Sequence, residues 1–315
     1  MIYVAGRNLL NQVPTINKGA AALKKLEFIA VHEQFLTPTA RFADILLPVT
    51  TFFEQEDICA TPRYAIYMHR VIEPLHECRS DLQILTELAK RLGISGYNDR
   101  SDEEWLRSFV PASAIPDFDA FKARGVHHFG DDRPRVAFAE EIRDPEGHPF
   151  ATPSGRIEIY SQRLADLDQP QTIPAIPQYI EAWEGRRDAL AREFPLQLVS
   201  PHPHRYVHST FTNVPWLQEL DTPCLWMSPA DAAARGIATA DEVHVFNRRG
   251  ELATRALVTE RILPGVVSLD QGAWLQLDAS GIDRGGSVNI LTRDEDTPLG
   301  EGATTHSCLV QVAKA

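Results

Sequence analysis

Apolar and polar positions follow two different regimes along the chain. In the first hundred residues, short unbroken apolar runs alternate with segments of helical spacing. Met1 to Ala5, Phe28 to Val31 and Ile45 to Leu47 read as buried strands, the last stopped by Pro48, which has no N–H for a sheet ladder. Ala20 to Leu26 has helical spacing. Asp81 to Leu92 places Leu82, Leu85, Leu88, Ala89 and Leu92 along one face, and Gly93 follows as a C-terminal stop. Strands alternating with helices predict an α/β layer with a mainly parallel sheet. In such sheets ligands gather beyond the C-terminal ends of the strands, which makes Asn8, His32 and Glu33 candidate contact residues.

Residues 95–195 lack a clear period. Pro111 to Arg135 reads as long loops, and Ser154-Gly155 as a turn leading into a strand, Ile157 to Tyr160. Gln169 to Pro177 holds Pro170, Pro174 and Pro177 and is the candidate linker. After Phe194 the pattern changes to short β-type runs: Leu196 to Val199, Glu242 to Phe246, Leu252 to Val258 and Val266 to Leu269. Turn residues separate them, at Asn247 to Gly250, Pro264-Gly265 and Gly285-Gly286, and this predicts a β-barrel. Ser228, Pro229 and Gly236 bracket a short helix as N-cap, first-turn proline and stop. The expected division is an α/β region over 1–178 and a barrel domain over 179–315. No internal repeat is present.

Composition narrows the function. The 315 residues are 43% apolar and 23% charged, an ordinary globular mixture. A formal net charge of −12 argues against a nucleic-acid partner, since phosphate binding needs clustered Lys and Arg. No run approaches the roughly 20 apolar residues that span a bilayer. Cys59, Cys78, Cys224 and Cys308 include no C-x-x-C pair, so they read as separate, mostly buried thiols, with no zinc or iron–sulfur signal.

One segment concentrates candidate chemistry: Ser200-Pro-His-Pro-His-Arg-Tyr-Val-His-Ser209, just after a strand. Arg205 offers five fixed donors suited to a phosphate or an extended heterocycle, and His202, His208 and Ser209 add donors and acceptors. The histidines also admit a metal, although no carboxylate or Cys stands nearby to complete a known site, and a solvated loop explains the same residues. A second segment, Gly285-Gly-Ser-Val-Asn-Ile-Leu-Thr292, combines glycines that permit close backbone approach with Asn289, a two-way hydrogen-bonding group; a hairpin turn would also account for it.

In order along the chain these segments resemble the dimethyl sulfoxide reductase family of molybdopterin oxidoreductases. The resemblance includes Ser228-Pro-Ala-Asp-Ala-Ala-Ala-Arg-Gly-Ile237, Val243-His-Val-Phe-Asn-Arg-Arg-Gly250, Pro264-Gly-Val-Val, Gly272-Ala-Trp274 and Asn289-Ile-Leu-Thr. The first half is similar through Tyr3-Val-Ala-Gly-Arg-Asn8, Thr37-Pro-Thr-Ala-Arg-Phe-Ala-Asp-Ile-Leu-Leu-Pro48 with Glu54, Glu77-Cys-Arg-Ser-Asp81 and Thr152-Pro-Ser-Gly-Arg-Ile-Glu158. The closing pattern through His306-Ser-Cys-Leu-Val-Gln-Val312 looks most like the anaerobic dimethyl sulfoxide reductase catalytic subunit.

The resemblance implies a six-stranded barrel of the double-psi type and a molybdenum held between two molybdopterin guanine dinucleotides. Carried over residue by residue, Asn8, His32, Glu33, Gln55 and Asp81 match contacts to one dinucleotide, with Asp81 suited to the guanine N–H donors. His32-Glu33 stands where the family often has Asp or a neighbouring Ser, and Gln55 replaces a frequent Lys. Ser200, His202, Arg205, His208 and Ser209 match the segment around the pterin and pyrophosphate. Trp274 and Asn289 match later contacts, although Trp274 also reads as core, and His306 falls where some members place Lys. The family's metal ligand and its [4Fe–4S] motif belong to sequence preceding the part this chain resembles. No metal ligand and no catalytic residue is therefore assigned. The implied reaction is oxygen-atom transfer from an S-oxide or N-oxide. The implied partners are the preceding region or a separate subunit carrying it, with an electron-transfer Fe–S subunit and a membrane-anchor subunit. The alternative is a stand-alone or split-subunit pterin-nucleotide binding module without catalysis of its own. Localisation is conditional: periplasmic or membrane-associated where a twin-arginine signal precedes the family region, cytoplasmic otherwise.

Overall fold

The computed structural model describes residues 1–315 except 131–133, 135 and 221–222. The parallel layer is built from β1 (Ile2–Val4), β2 (Ile29–Glu33) and β3 (Ile45–Pro48), in that order. Ile2 pairs with Ile29 and Ala30 with Ile45, both in parallel register. Helices α1 (Leu9–Gln12) and α2 (Ile16–Leu23) cross from β1 to β2. Leu10, Ile16, Ala20 and Leu23 are buried, and each large member contributes on the order of 2 kcal/mol by leaving water.

A second, antiparallel sheet was not legible in the pattern. It comprises β4 (Asp57–Ala60), β5 (Tyr64–Met68) and β6 (Val126–His128). Between β5 and β6 come α3 (Asp81–Arg91), α4 (Asp102–Phe109) and α5 (Phe118–Arg124). Ala65, Tyr67, Leu106, Ile115, Phe118 and Phe121 form a small core of their own. The loop expectation for Pro111 to Arg135 is thus corrected where the chain is described, and the part at Asp131 to Arg133 and Arg135 lies outside the described residues. Asp117 caps α5 through the Ala120 amide, Phe118 and Phe121 bury one face, and Gly125 ends it at φ 76°. The strand expected at Ile157 to Tyr160 does not form. Ile157 and Ile159 are 71% and 73% exposed, and Thr152 instead donates its hydroxyl to the Arg156 carbonyl. The candidate linker has no regular element, yet its Ile173 is buried.

The C-terminal part is a closed six-stranded barrel. Its strands are β7 (Leu196–Val199), β8 (Cys224–Met227), β9 (Glu242–Asn247), β10 (Gly250–Val258), β11 (Val266–Ser268) and β12 (Ser307–Lys314), closed in the order β10-β8-β11-β7-β12-β9. Pairings are mixed: β7 with β11 and β8 with β10 are parallel, the others antiparallel. The Ser228 hydroxyl accepts from the Asp231 amide and starts the predicted short helix, Pro229–Ala233. Barrel residues Leu196, Leu225, Val245, Leu252 and Val310 share one continuous core with Val4, Leu10, Ile16 and Val31 of the parallel layer.

Candidate functional site

Three stretches of loop meet at one end of the barrel: residues 200–209 after β7, residues 270–290 after β11, and Thr305-His306 before β12. With Asn11 and Gln12 of α1 they enclose a cleft of about 320 Å³, whose walls include His208, Ser209, Gln271, Gly272, Asn289 and His306. Among the described residues, no Asp or Glu lines it. Gln271 also borders a neighbouring cleft of about 440 Å³ lined by Tyr206, Asn213, Asp270 and Trp274.

The geometry here is set by long-range polar contacts. Asn11 donates to the Ala273 carbonyl at 2.8 Å, and Asn289 donates to the Asn11 carbonyl at 2.9 Å, tying the α/β layer to the barrel loops. Asn8, buried, accepts from the Thr39 hydroxyl at 2.8 Å and donates to Asn11 at 3.1 Å, so it supports the cleft from behind. Trp274 is half-buried and donates its indole N–H to the Ser209 carbonyl at 2.7 Å. Gly272 adopts φ 100°, and a Cβ there would sit 1.9 Å from the His208 carbonyl oxygen. Only glycine lets these two walls close on each other. At Gly285 the close approach expected toward a ligand is instead made to the Trp274 carbonyl, whose oxygen would lie 1.8 Å from a Cβ.

Three imidazoles gather at the mouth. His202 stacks on His306 with centroids 5.8 Å apart and meets His208 edge-on at 5.0 Å. His306 Nδ1 lies 3.1 Å from the Ser200 carbonyl, and Gln271 contacts His208 Nδ1 at 3.2 Å. Ser200 is buried and donates to the Thr305 carbonyl at 3.1 Å. Arg205 is exposed, outside the walls of both clefts, and donates a guanidinium N–H to the Leu220 carbonyl at 2.6 Å. Among the described residues, no three His, Cys, Asp or Glu side chains are arranged to hold a metal ion.

The remaining candidates sit at the C-terminal edge of the parallel sheet. His32 is buried, with Nδ1 2.5 Å from Asp81 Oδ1 and Nε2 2.6 Å from the Tyr3 hydroxyl. Burial, and then the Asp81 charge, raise the Tyr3 pKa. Glu33 accepts from the Thr37 hydroxyl and the Gln34 amide. Gln55 accepts from the Thr50 hydroxyl at 2.8 Å. His32 and Asp81 are therefore brought together, whereas among the described residues the Glu33 and Gln55 side chains bond only to residues near them in sequence.

Several structural determinants escaped the pattern. Asp283 is fully buried and accepts from the amides of Gln276, Gly285 and Ser287, so it shapes the loop that walls both clefts; burial raises its pKa against those bonds. Asn11 and Gln271 gave no signal, because their partners are remote or in other loops. The cysteines are also not uniformly buried. Cys308 is, and burial pushes its thiol up to about 12, but Cys59 is exposed.

Comparison with known proteins agrees with this geometry. Residues 1–91 match the family described as Molybdopterin oxidoreductase, and residues 196–309 match the Molydopterin dinucleotide binding domain. The chain is 40% identical over 332 residues to dimethyl sulfoxide reductase DmsA of Escherichia coli K12, covering 98% of this chain and 41% of the relative. It is 35% identical to the dimethyl sulfoxide/trimethylamine N-oxide reductase of Rhodobacter capsulatus, covering 100% of this chain and 41% of the relative. It thus spans about two fifths of the length of these curated relatives. Acetylene hydratase from Pelobacter acetylenicus shares the fold, with TM-score 0.77 at 20% identity over 99% of this chain and 44% of that one. Matches in both halves, joined by the cleft between them, show that the chain belongs to the molybdopterin oxidoreductase family, with the dimethyl sulfoxide reductases among its relatives.

Proposed function

We propose that this chain forms part of a bis(molybdopterin guanine dinucleotide) molybdenum reductase that removes oxygen from an S-oxide or N-oxide. The observation that carries the reading is the cleft walled by His208, Gln271, Asn289 and His306. Among the described residues it is lined by no carboxylate, in a chain of net charge −12, and it sits where the two family-matched regions meet. An anionic pyrophosphate needs N–H and O–H donors without a competing negative charge, and amide, hydroxyl and imidazole groups supply them. The donor set therefore fits the dinucleotide. When bound, the molybdenum cofactor supplies the redox chemistry; this chain's residues bind and orient it. His202, His208, Ser209, Asn289 and His306 are the proposed contacts near the pyrophosphate, with Ser200 and Asn8 as supports. Trp274 walls the adjoining cleft, and Arg205 would have to exchange its Leu220 contact to reach a phosphate. His32, Glu33, Gln55 and Asp81 are proposed for a nucleotide at the sheet edge.

The metal ligand and any [4Fe–4S] cluster are assigned to polypeptide that the longer relatives carry and this chain does not span. Two surfaces support such a complement. Parallel sheets are covered on both faces, yet Ile45 and Leu46 of the edge strand β3 are 45% and 40% exposed. Helix α3 buries only Ala89 despite its apolar stripe. An electron-transfer Fe–S subunit and a membrane-anchor subunit are further proposed partners, and the division at 178/179 is proposed as the domain boundary.

Titrating the purified chain with GDP by calorimetry tests the binding. The expectation is saturable binding weakened about fivefold by Asn289→Ala or His208→Ala, the effect of losing one hydrogen bond of about 1 kcal/mol. Absence of binding at millimolar GDP would overturn the reading.

A further inference from the structure

Three elements converge on one buried imidazole at the sheet edge. Tyr3 comes from β1, His32 from β2, and Asp81 from the first turn of α3. The His32 side chain is 0% exposed while that of Asp81 is 57% exposed. An ionised carboxylate only accepts, so His32 Nδ1 carries the proton in the 2.5 Å contact with Asp81 Oδ1. In the neutral tautomer that fits this contact, Nε2 accepts from the Tyr3 hydroxyl, 2.6 Å away. The Tyr3 and His32 rings meet edge-on with centroids 5.2 Å apart, which fixes the imidazole plane.

We infer that Tyr3 and His32 are positioning residues that hold the Asp81 carboxylate in one orientation, one oxygen tied inward and the other turned out as an acceptor for a nucleobase edge bearing adjacent N–H donors. Such an edge belongs to guanine. Adenine presents a ring acceptor there, which would face the carboxylate's lone pairs. Base selection then comes from rejection of the wrong edge as much as from attraction to the right one. Without the relay, Asp81 rotates freely on the first turn of α3 and loses part of this discrimination. The inference rests on the proposal that the chain binds a guanine dinucleotide, and adds two residues that act through a third.

The test is calorimetric titration of the chain with GMP, AMP and xanthosine monophosphate, with thermal melting as a fold control. Wild type should prefer GMP over AMP by at least tenfold. Asp81→Asn should reverse the preference between GMP and xanthosine monophosphate, because the amide replaces an acceptor by a donor. Tyr3→Phe, a mild change for folding, and His32→Ala should each lower the GMP/AMP ratio several-fold, and His32→Gln, whose amide can still donate to Asp81, should restore most of it. A GMP/AMP ratio unchanged in both Tyr3→Phe and His32→Ala, with Asp81→Asn still reversing preference, would overturn the relay alone. Wild type that binds none of the three nucleotides would overturn the relay and the proposed function together.

Discussion

At the residue scale, two buried carboxylates, Glu54 and Asp283, are held by backbone amides. Glu54 is buried and accepts from the Thr51 amide at 2.7 Å, the Leu75 amide at 2.6 Å and the Thr51 hydroxyl at 2.8 Å. These bonds, the Thr51 amide first, hold its pKa below the ordinary carboxylate value. A depressed pKa means that the stabilisation is present above the unfolded-state value and is lost as pH falls through the folded one. Glu54→Gln should therefore lower the denaturation midpoint at pH 7, and the gap to wild type should narrow below about pH 4. A gap independent of pH would show that the carboxylate's charge is not what those amides recognise. Glu54 stood inside a recognisable sequence stretch, but nothing in that stretch revealed its partner Leu75. Asp283 is the stronger case. Its three amide partners lie within seven residues, yet only folding shows that its side chain is enclosed. His32 was legible as a residue at a strand end; its pairing with Tyr3 and Asp81 was not.

At the element scale, a buried ion pair helps to fasten the barrel to the segment before it. Arg249, in the β9–β10 turn, makes a two-pronged contact with Glu184, at 2.5 Å and 2.7 Å, and Glu184 also accepts from the Leu309 amide of β12. The side chains are 22% and 5% exposed. Removing one partner leaves a poorly solvated charge, so Glu184→Ala should cost about 3 kcal/mol in chemical denaturation. Truncating Glu193, whose pair with Arg248 is exposed, should cost far less. Equal effects would contradict the assignment of burial as the cause. Legibility at this scale followed pattern strength. Strands β1, β2, β3, β7, β9, β10 and β11 and helix α3 were readable from apolar runs, a long stripe or turn residues. The strands β8 and β12 were not read as strands, although Pro223 and the Ser228-Pro229 helix start bracket β8 and apolar residues alternate through the second half of β12. Helix α5 was hidden among Pro, Asp and Gly, and its cap Asp117 was the available clue. The false strand at Ile157 to Tyr160 shows the converse, since an alternating run forms no strand without a partner edge.

At the scale of the whole molecule, the barrel and the parallel layer share one apolar core, and the cleft, lined by no carboxylate among the described residues, opens along that junction. The family was readable from the order of motifs. The cleft itself was not, because its walls are bonded across the entire chain; Asn11 reaches Ala273 and Asn289 reaches Asn11. This junction is proposed to grip a pterin dinucleotide. Hydrogen exchange of the chain with and without molybdopterin guanine dinucleotide decides this. Slowed exchange is expected in residues 200–209, 270–290 and 305–307 and in α1, with the outer barrel strands unchanged. Exchange that is the same with and without the dinucleotide, or protection confined to segments away from that junction, would contradict it.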